Sequence, residues 1–306
     1  MSNFKMKTLM KKIKLFSFMA AIALLIGVSF TSCKATEPDP YAGKTDPSTI
    51  ATADLVAYFP FNGNGNDTIG GLTPTMKPNV TYATGRRGMA FQGVNNAYFL
   101  YNLPTASKLR SLKAFSVAMW LYEPQIPNEV APVPMILQIK NDDDLFWGNL
   151  SLTQDRMGAA TAPVDSLNLK MVFHKEGAVW ANQFVGFANP AFQASKWMHI
   201  IFEYDNVTST YSVVVNGVKL VLSDGISKRW ADAAPATGAQ PAFGDLVFNK
   251  PTQLVMGGWL PKIQSAATDE WMGWFNGKMD ELRIYDRALT ATEAKALYDA
   301  EVTVLN

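Results

Sequence analysis

Val215-Asn216-Gly217-Val218 decides the fold of this chain, because it predicts a β-hairpin. Asn followed by Gly accepts the positive φ angles of a type I′ turn, whose twist matches that of two antiparallel strands. The residues before the turn, Tyr211 to Val215, are aromatic or β-branched with one serine, a composition that favours a strand. The hairpin therefore indicates an antiparallel sheet in this part of the chain.

Outward from the hairpin, alternating or β-branched runs predict further strands separated by turns. The predicted strands are Leu55 to Phe61, Phe115 to Tyr122, Met135 to Ile139, Leu167 to Phe173, Met198 to Tyr204, Tyr211 to Val215, Gln253 to Met256 and Lys278 to Tyr285. At the end of the chain, Thr290-Ala291-Thr292-Glu293 has the spacing of a capping box, and apolar residues follow at helical intervals. This order predicts an all-β fold, an antiparallel two-sheet jelly-roll sandwich with a short C-terminal helix.

The first 32 residues have the layout of a secretory signal peptide. Five lysines precede an uncharged apolar run from Leu15 to Phe30, and small residues lead to Cys33, the single cysteine. The run, at about sixteen residues, is shorter than the roughly twenty needed to span a bilayer. The stretch also resembles a bacterial lipoprotein signal, which implies that Cys33 becomes the first mature residue and carries the lipid. A plain signal peptide with an incidental cysteine is the alternative.

The charge and cysteine content of the mature chain argue against several functions. Removal of residues 1 to 32 takes away five of the 27 basic residues and none of the 26 acidic ones, which leaves a net charge of −4. Nucleic-acid binding needs a basic excess or stripe, so we expect no nucleic-acid partner. With Cys33 lipidated, no cysteine remains for disulfides, thiol catalysis or zinc. Residues 33 to 53 are proline-containing and lack an apolar period, so we expect a flexible tether before one domain, residues 54 to 306.

Six segments carry a family resemblance. They are Leu55 to Asp67, Gly85 to Gly93, Phe115 to Trp120, Trp197 to Ile200, Val214 to Gly217 and, most specific, Gly277 to Thr290. In this order they resemble landmarks of the laminin-G-like, concanavalin A-like lectin and glucanase superfamily as it occurs in bacterial surface proteins. The resemblance spans residues 55 to 298 and implies a jelly roll of two large antiparallel sheets.

Asp280 is the centre of a candidate metal site. Period-2 alternation predicts that its side chain shares the buried face with Leu282 and Ile284, where a carboxylate needs a strong partner. One candidate is a structural Ca²⁺ held by Asp280 together with oxygens of the loop residues Asn62, Asn64 and Asp67, and the family resemblance also implies calcium between these segments. The alternative is that Asp280 accepts bonds from backbone N–H groups or an arginine, while the loop residues only form turns.

The sequence carries no linear catalytic motif. Glucanases of the resembled superfamily have Glu-x-Asp-x-Glu on one strand, and Glu203-Tyr204-Asp205 lacks the second glutamate. His174 and His199 have no motif partner and are predicted to be structural. The acidic run Asn141 to Asp144 is predicted to be a solvated turn, with binding of a hard cation as the alternative. We therefore expect a protein that is not an enzyme.

Eight tryptophans are many for this length, and sugars dock through their apolar faces onto flat aromatic rings. Trp120 and Trp197 are predicted to lie in the core. The candidate ligand-binding residues are Trp147, Trp230, Trp259, Trp271 and Trp274, with simple burial as the alternative for each.

Together these patterns predict a non-catalytic, lectin-like carbohydrate-binding module. We expect it to be lipid-anchored through Cys33 at the bacterial cell envelope, in the outer membrane, with a polysaccharide or glycoconjugate as its partner. Two alternatives are a glycoside hydrolase or lyase with carboxylates on separate strands, and a protein-binding adhesion module.

Overall fold

A computed structural model describes residues 45–126, 132–156, 165–232, 240–265 and 269–302. The strands of these residues are β1 (Leu55–Phe59), β2 (Thr81–Thr84), β3 (Met89–Gln92), β4 (Phe99–Asn102), β5 (Phe115–Tyr122), β6 (Val133–Ile139), β7 (Leu150–Asp155), β8 (Ser166–Phe173), β9 (Phe184–Gln193), β10 (Met198–Asp205), β11 (Thr210–Val215), β12 (Val218–Lys219), β13 (Gln253–Met256), β14 (Met272–Trp274) and β15 (Lys278–Tyr285). The α-helices are α1 (Asp224–Ser227), α2 (Leu260–Gln264) and α3 (Ala291–Val302).

The strands form two sheets. The eight-stranded sheet has the order β12-β11-β10-β5-β15-β3-β2, with β1 also pairing with β15. The seven-stranded sheet has the order β4-β13-β6-β7-β8-β9, with β14 beside β6. Neighbouring strands are antiparallel except for β14, which runs parallel to β6. The predicted fold class, an antiparallel sandwich closed by a C-terminal helix, is confirmed.

The main core lies between the sheets and follows from strand alternation. Val117, Met119 and Leu121 of β5 enter this core from the eight-stranded sheet, and Leu150 and Leu152 of β7 enter it from the other sheet. The intervening residues of β5 point to the opposite side, where Ala118 shares a second apolar cluster with Leu297 of α3 and Trp120 donates to Glu301. The eight-stranded sheet is therefore covered on both sides.

The two sharpest local predictions are confirmed. In the hairpin, Val215 pairs with Val218, and Asn216 and Gly217 have φ angles of 50° and 76°. In the capping box, the Thr290 N–H donates to Glu293 Oε2 at 2.8 Å, and the Glu293 N–H donates to Thr290 Oγ1 at 3.2 Å. All predicted strands are present, although some of their ends differ by one or two residues.

The predicted orientation of Asp280 is wrong. Glu281 adopts a φ of 53°, and the register between β15 and β5 shifts between Asp280 and Arg283. Because of this bulge, Met279 and Leu282 both reach the core, whereas Asp280 pairs with Trp120 on the outer side of the sheet. Asp280 is nevertheless fully buried.

A buried ionic network joins α3 to the outer side of the eight-stranded sheet. Arg283 donates to Glu281 Oε2 at 2.9 Å and also pairs with Glu301 of α3. Trp120 Nε1 donates to the other carboxylate oxygen of Glu301 at 2.7 Å. Burial lowers the pKa of the neighbouring His199 to about 3, so its ring is uncharged at neutral pH, in keeping with a structural role.

Part of the predicted tether packs on the sandwich. Pro47–Thr49 and Thr52–Asp54 are short 3-10 helices, and Ile50 is buried in the cluster that contains Leu297 of α3. The apolar side chain of Ile50 explains this packing. The prolines and polar residues that precede Ile50 predict a flexible segment instead. The signal peptide and Cys33 lie outside the described residues and stay predictions. Within the described ranges, no helix is both long and apolar enough to cross a bilayer.

Candidate functional site

A cleft of about 490 Å³ opens at one end of the sandwich, where β5 ends and β6 and β14 begin. Its described lining combines apolar side chains and amides with one carboxylate and one lysine. The lining residues are Asn95, Glu123, Pro124, Gln125, Ile126, Pro132, Pro134, Gln154, Lys262, Met272, Gly273, Trp274 and Asn276. A concave site of this mixed character suits a small polar ligand with apolar faces.

Trp274 is the aromatic wall of the cleft. Its ring stacks on Tyr98, with centroids 5.9 Å apart and 15° between the ring planes. Lys262 Nζ lies 5.6 Å from the ring centroid and donates to the Met272 carbonyl oxygen at 2.7 Å. A Cβ atom on Gly258 would overlap the Trp274 ring, so glycine at this position lets the backbone approach the indole closely. The half-buried ring is therefore held in place before any ligand arrives.

Glu123 and Gln154 supply buried polar atoms to the cleft. Glu123 directly follows β5 and is 1% exposed, and Gln154 lies on β7 and is 0% exposed. Among the described residues, Glu123 Oε2 and Gln154 Oε1 have no hydrogen-bond partner. Burial raises the pKa of Glu123 well above its usual range because the carboxylate would lose its hydration. The cleft thus presents a carboxyl group, shifted towards its protonated form, and an amide oxygen that a bound ligand can satisfy.

The five predicted tryptophans separate into three groups. Trp274 lines the cleft. Trp147, Trp259 and Trp271 pack together beside it, with Trp259 at 5.6 Å from Trp147 and 5.0 Å from Trp271. Trp259 is fully buried and donates from Nε1 to the Val133 carbonyl oxygen, so the alternative of burial holds for this residue. Trp230 is half-buried elsewhere, on a segment that forms a β-bridge with Ala242.

The tryptophans predicted to be core differ in burial. Trp120 is 2% exposed, whereas Trp197 precedes β10 and is half-buried. Its ring lies edge-on to Tyr122, with centroids 5.8 Å apart.

Asp280 accepts hydrogen bonds from a turn of the eight-stranded sheet. Its Oδ2 accepts the backbone N–H groups of Arg86 and Arg87 at 2.8 and 2.9 Å. Asn62 binds the same turn, because its Oδ1 accepts the N–H of Met89 at 2.8 Å. Burial, together with the nearby Glu281 carboxylate, raises the pKa of Asp280 to about 8.

The other predicted calcium ligands are also occupied by backbone groups. Asp67 Oδ1 accepts the N–H groups of Tyr58, Ile69 and Gly70, each at 2.9 Å, and Asn64 Oδ1 accepts a neighbouring N–H at 2.9 Å. In the part of the chain that the structure describes, no group of three or more His, Cys, Asp or Glu side chains could hold a metal ion. Among the described residues, Asp67 Oδ2 and Asp280 Oδ1 are buried without a hydrogen-bond partner, and calcium binding stays a prediction.

Glu123, Gln154 and Tyr98 are site residues that the sequence patterns did not indicate. The available signal for Glu123 was a lone acid directly after the apolar run Phe115 to Tyr122, followed by a proline. Gln154 and Tyr98 carry no such signal. Their place in the site depends on which strands become neighbours.

No protein-family model matches the sequence, and no curated protein is significantly similar to it. Solved structures share its fold. The binding domain of botulinum neurotoxin serotype G is 13% identical over 80% of this chain and 50% of that chain, with a TM-score of 0.52. The serotype C1 binding domain is 13% identical over 81% of this chain and 52% of that chain, with a TM-score of 0.53.

A third similar structure is domain 4 of a GH43 extracellular arabinanase from Geobacillus stearothermophilus, in complex with arabinotriose. It is 21% identical over 80% of this chain and 98% of that chain, with a TM-score of 0.45, which is too low to support an argument. The chain spans about half the length of the toxin binding domains it matches. At these identities the likeness shows the fold alone.

Proposed function

We propose that this protein is a non-catalytic carbohydrate-binding module whose sugar site is the cleft beside Trp274. The observation that carries the proposal is the pairing of a fixed, half-buried indole with the unpartnered oxygens of Glu123 and Gln154. A sugar ring has an apolar face that suits the indole and hydroxyl edges that exchange hydrogen bonds with a carboxyl and an amide.

Two further observations support binding without catalysis. Glycoside hydrolysis uses a pair of carboxylates across the scissile bond, and Glu123 is the one carboxylate in the described lining of the cleft. The similar toxin structures are named as binding domains. Because likeness of fold is weak evidence about function, the site chemistry is the stronger support.

The proposal includes the envelope location and the laminin-G-like family expected from the sequence. Acyl chains on Cys33 would hold the module at the outer membrane without a spanning helix. The polypeptide between Cys33 and the packed residue Ile50 is then the connection between lipid and domain.

The test is a binding screen of the mature protein against a broad panel of polysaccharides, run with calcium and again with a chelator. The Trp274→Ala variant is expected to lose at least about tenfold in affinity for the glycan that binds, since a buried aromatic anchor contributes well over 1 kcal/mol. Trp230→Ala is the matched control, because Trp230 is half-buried but does not line the cleft.

The outcomes of this screen distinguish the proposal from its alternatives. Binding to no glycan, or equal binding by Trp274→Ala and wild type, would overturn the cleft assignment. Shortening of the glycan during incubation would instead favour a hydrolase or lyase. Binding that disappears with the chelator would support the calcium prediction.

A further inference from the structure

A contiguous set of aromatic rings leads away from the cleft on the outer side of the seven-stranded sheet. We call Trp271, Phe146, Trp147, Phe184 and Trp180 the aromatic band. Trp271 stacks on Phe146 with centroids 5.9 Å apart and 12° between planes. Both Trp271 and Trp147 rest against the buried Trp259. The band continues from Trp147 to Phe184 at 5.0 Å and from Phe184 to Trp180 at 4.4 Å.

The exposure of the band differs from that of an ordinary apolar cluster. Phe146 is 37% exposed and Trp180 is 43% exposed, and the three rings between them are half-buried. Large aromatic rings that are left exposed side by side mark interaction sites more often than isolated apolar residues do. Only their base, Trp259, is fully covered.

The band and the cleft are continuous. Met272 lines the cleft and also packs in the cluster that contains Trp259, Trp147 and Trp271. Beneath the band, one cross-strand row starts at Trp274 and crosses five strands, through Met135, Thr153 and Lys170 to Gly186. Neighbouring strands lie about 4.8 Å apart, so this row spans about 19 Å. The row crosses the sheet in one direction and is longer than a single sugar ring.

The two lysines along this surface already have partners. Lys170, which lies over the Trp147 ring, forms an ion pair with Asp155. Lys262 donates to the Met272 carbonyl oxygen and lies near the Trp274 ring. Lys262 keeps its charge, but an acidic polymer would need several cations along its length, so this surface suits an uncharged ligand.

We propose that the cleft and the aromatic band together bind one linear, uncharged polysaccharide chain, which lies across the outer side of the seven-stranded sheet. This inference rests on the proposed carbohydrate-binding function and adds the class of ligand. The module recognises an internal run of sugars along a chain. It does not recognise a terminal sugar alone.

The test measures affinity against the length of the sugar chain. The probes are cello-, xylo-, manno- and arabino-oligosaccharides from disaccharide to octasaccharide, with polygalacturonate as the acidic comparison. For the series that binds, affinity is expected to rise with length until the chain covers the band. Phe146→Ala and Trp180→Ala are each expected to lower octasaccharide affinity by about three- to tenfold and to leave disaccharide affinity unchanged.

Control variants separate this inference from the proposed function. Trp274→Ala is expected to weaken short and long chains alike. Val207→Ala, which removes an exposed apolar residue in the turn between β10 and β11, is expected to bind as wild type does. Affinity that depends on Trp274 but not on length, or preferential binding of polygalacturonate, would overturn the inference alone. Absence of binding to every glycan would overturn both proposals and point to a protein ligand.

Discussion

Glu123 shows how a single residue can be costly for folding and useful for binding. Its carboxyl group is buried at the end of β5, and an Oε2 atom without a partner destabilises the folded state, most of all when the group is charged. The backbone makes room for it at Gly277, where any Cβ atom would overlap the Glu123 carboxyl. An acid kept in place at such cost is a strong candidate for a ligand contact.

The raised pKa of Glu123 predicts a pH dependence of stability. The unfolded glutamate titrates near its usual value of 4.5, whereas the folded one titrates well above it. Below pH 4.5 both states hold the proton; as the pH rises towards the folded pKa, only the folded state still holds it, so stability falls. Glu123→Gln keeps a neutral side chain and is expected to lose this part of the pH dependence in urea unfolding.

The control for this prediction is Glu270→Gln, which changes an exposed glutamate. This variant is expected to keep the wild-type pH profile. A Glu123→Gln profile that also matches wild type would show that the Glu123 carboxyl is not held uncharged.

At the scale of elements, α3 depends on a buried charge. Glu301 is 0% exposed and bonds to both Arg283 and Trp120 on the sheet beneath it. The helix also has apolar contacts through Leu297 and Ala300. The ion pair fixes the position of the helix, because a buried Arg283 guanidinium without the Glu301 carboxylate would be costly.

Glu301→Gln is expected to destabilise the protein by about 3 kcal/mol, since it leaves the Arg283 guanidinium buried with one carboxylate fewer. Asp299→Asn removes an exposed ion pair with Lys295 from the same helix and is expected to cost less than about 0.5 kcal/mol. Urea unfolding of the two variants compares them directly. Equal losses would mean that the buried network adds little.

The elements that could be predicted from the sequence are those determined by residues that are close together in the chain. The hairpin at Asn216-Gly217 and the capping box at Thr290 depend on residues within a few positions of each other. The bulge at Glu281 could not be predicted, because it is defined by the register against β5, which is distant in sequence. Strands such as β2 and β9 were missed because they are largely half-exposed and lack a continuous apolar pattern.

At the scale of the whole molecule, the cleft arises from the closing of the sandwich. Glu123 follows β5 of one sheet, whereas Gln154 and Trp274 belong to β7 and β14 of the other. The sequence could indicate that tryptophans matter as a group, because ring stacking on a sugar needs no particular spacing. It could not show which of them share a surface, since that depends on strand order.

The lipid anchor is a prediction about the whole protein. Metabolic labelling with an alkyne-tagged fatty acid is expected to label the wild-type chain and not Cys33→Ser, because the thiol is the acceptor. Ser32→Ala keeps a small residue beside the cysteine and is expected to be labelled. A labelled Cys33→Ser variant, or an unlabelled wild type, would leave a plain signal peptide as the better interpretation.

The burial of Ile50 beside α3 makes the two outer faces of the sandwich different. Residues 47–54 and α3 lie on the outer side of the eight-stranded sheet, and the aromatic band lies on the outer side of the other sheet. Residues 47–54 therefore pack on the side opposite the rings. If the predicted anchor at Cys33 holds the protein, the tether joins the described part of the chain on the face opposite the surface proposed to bind the polysaccharide.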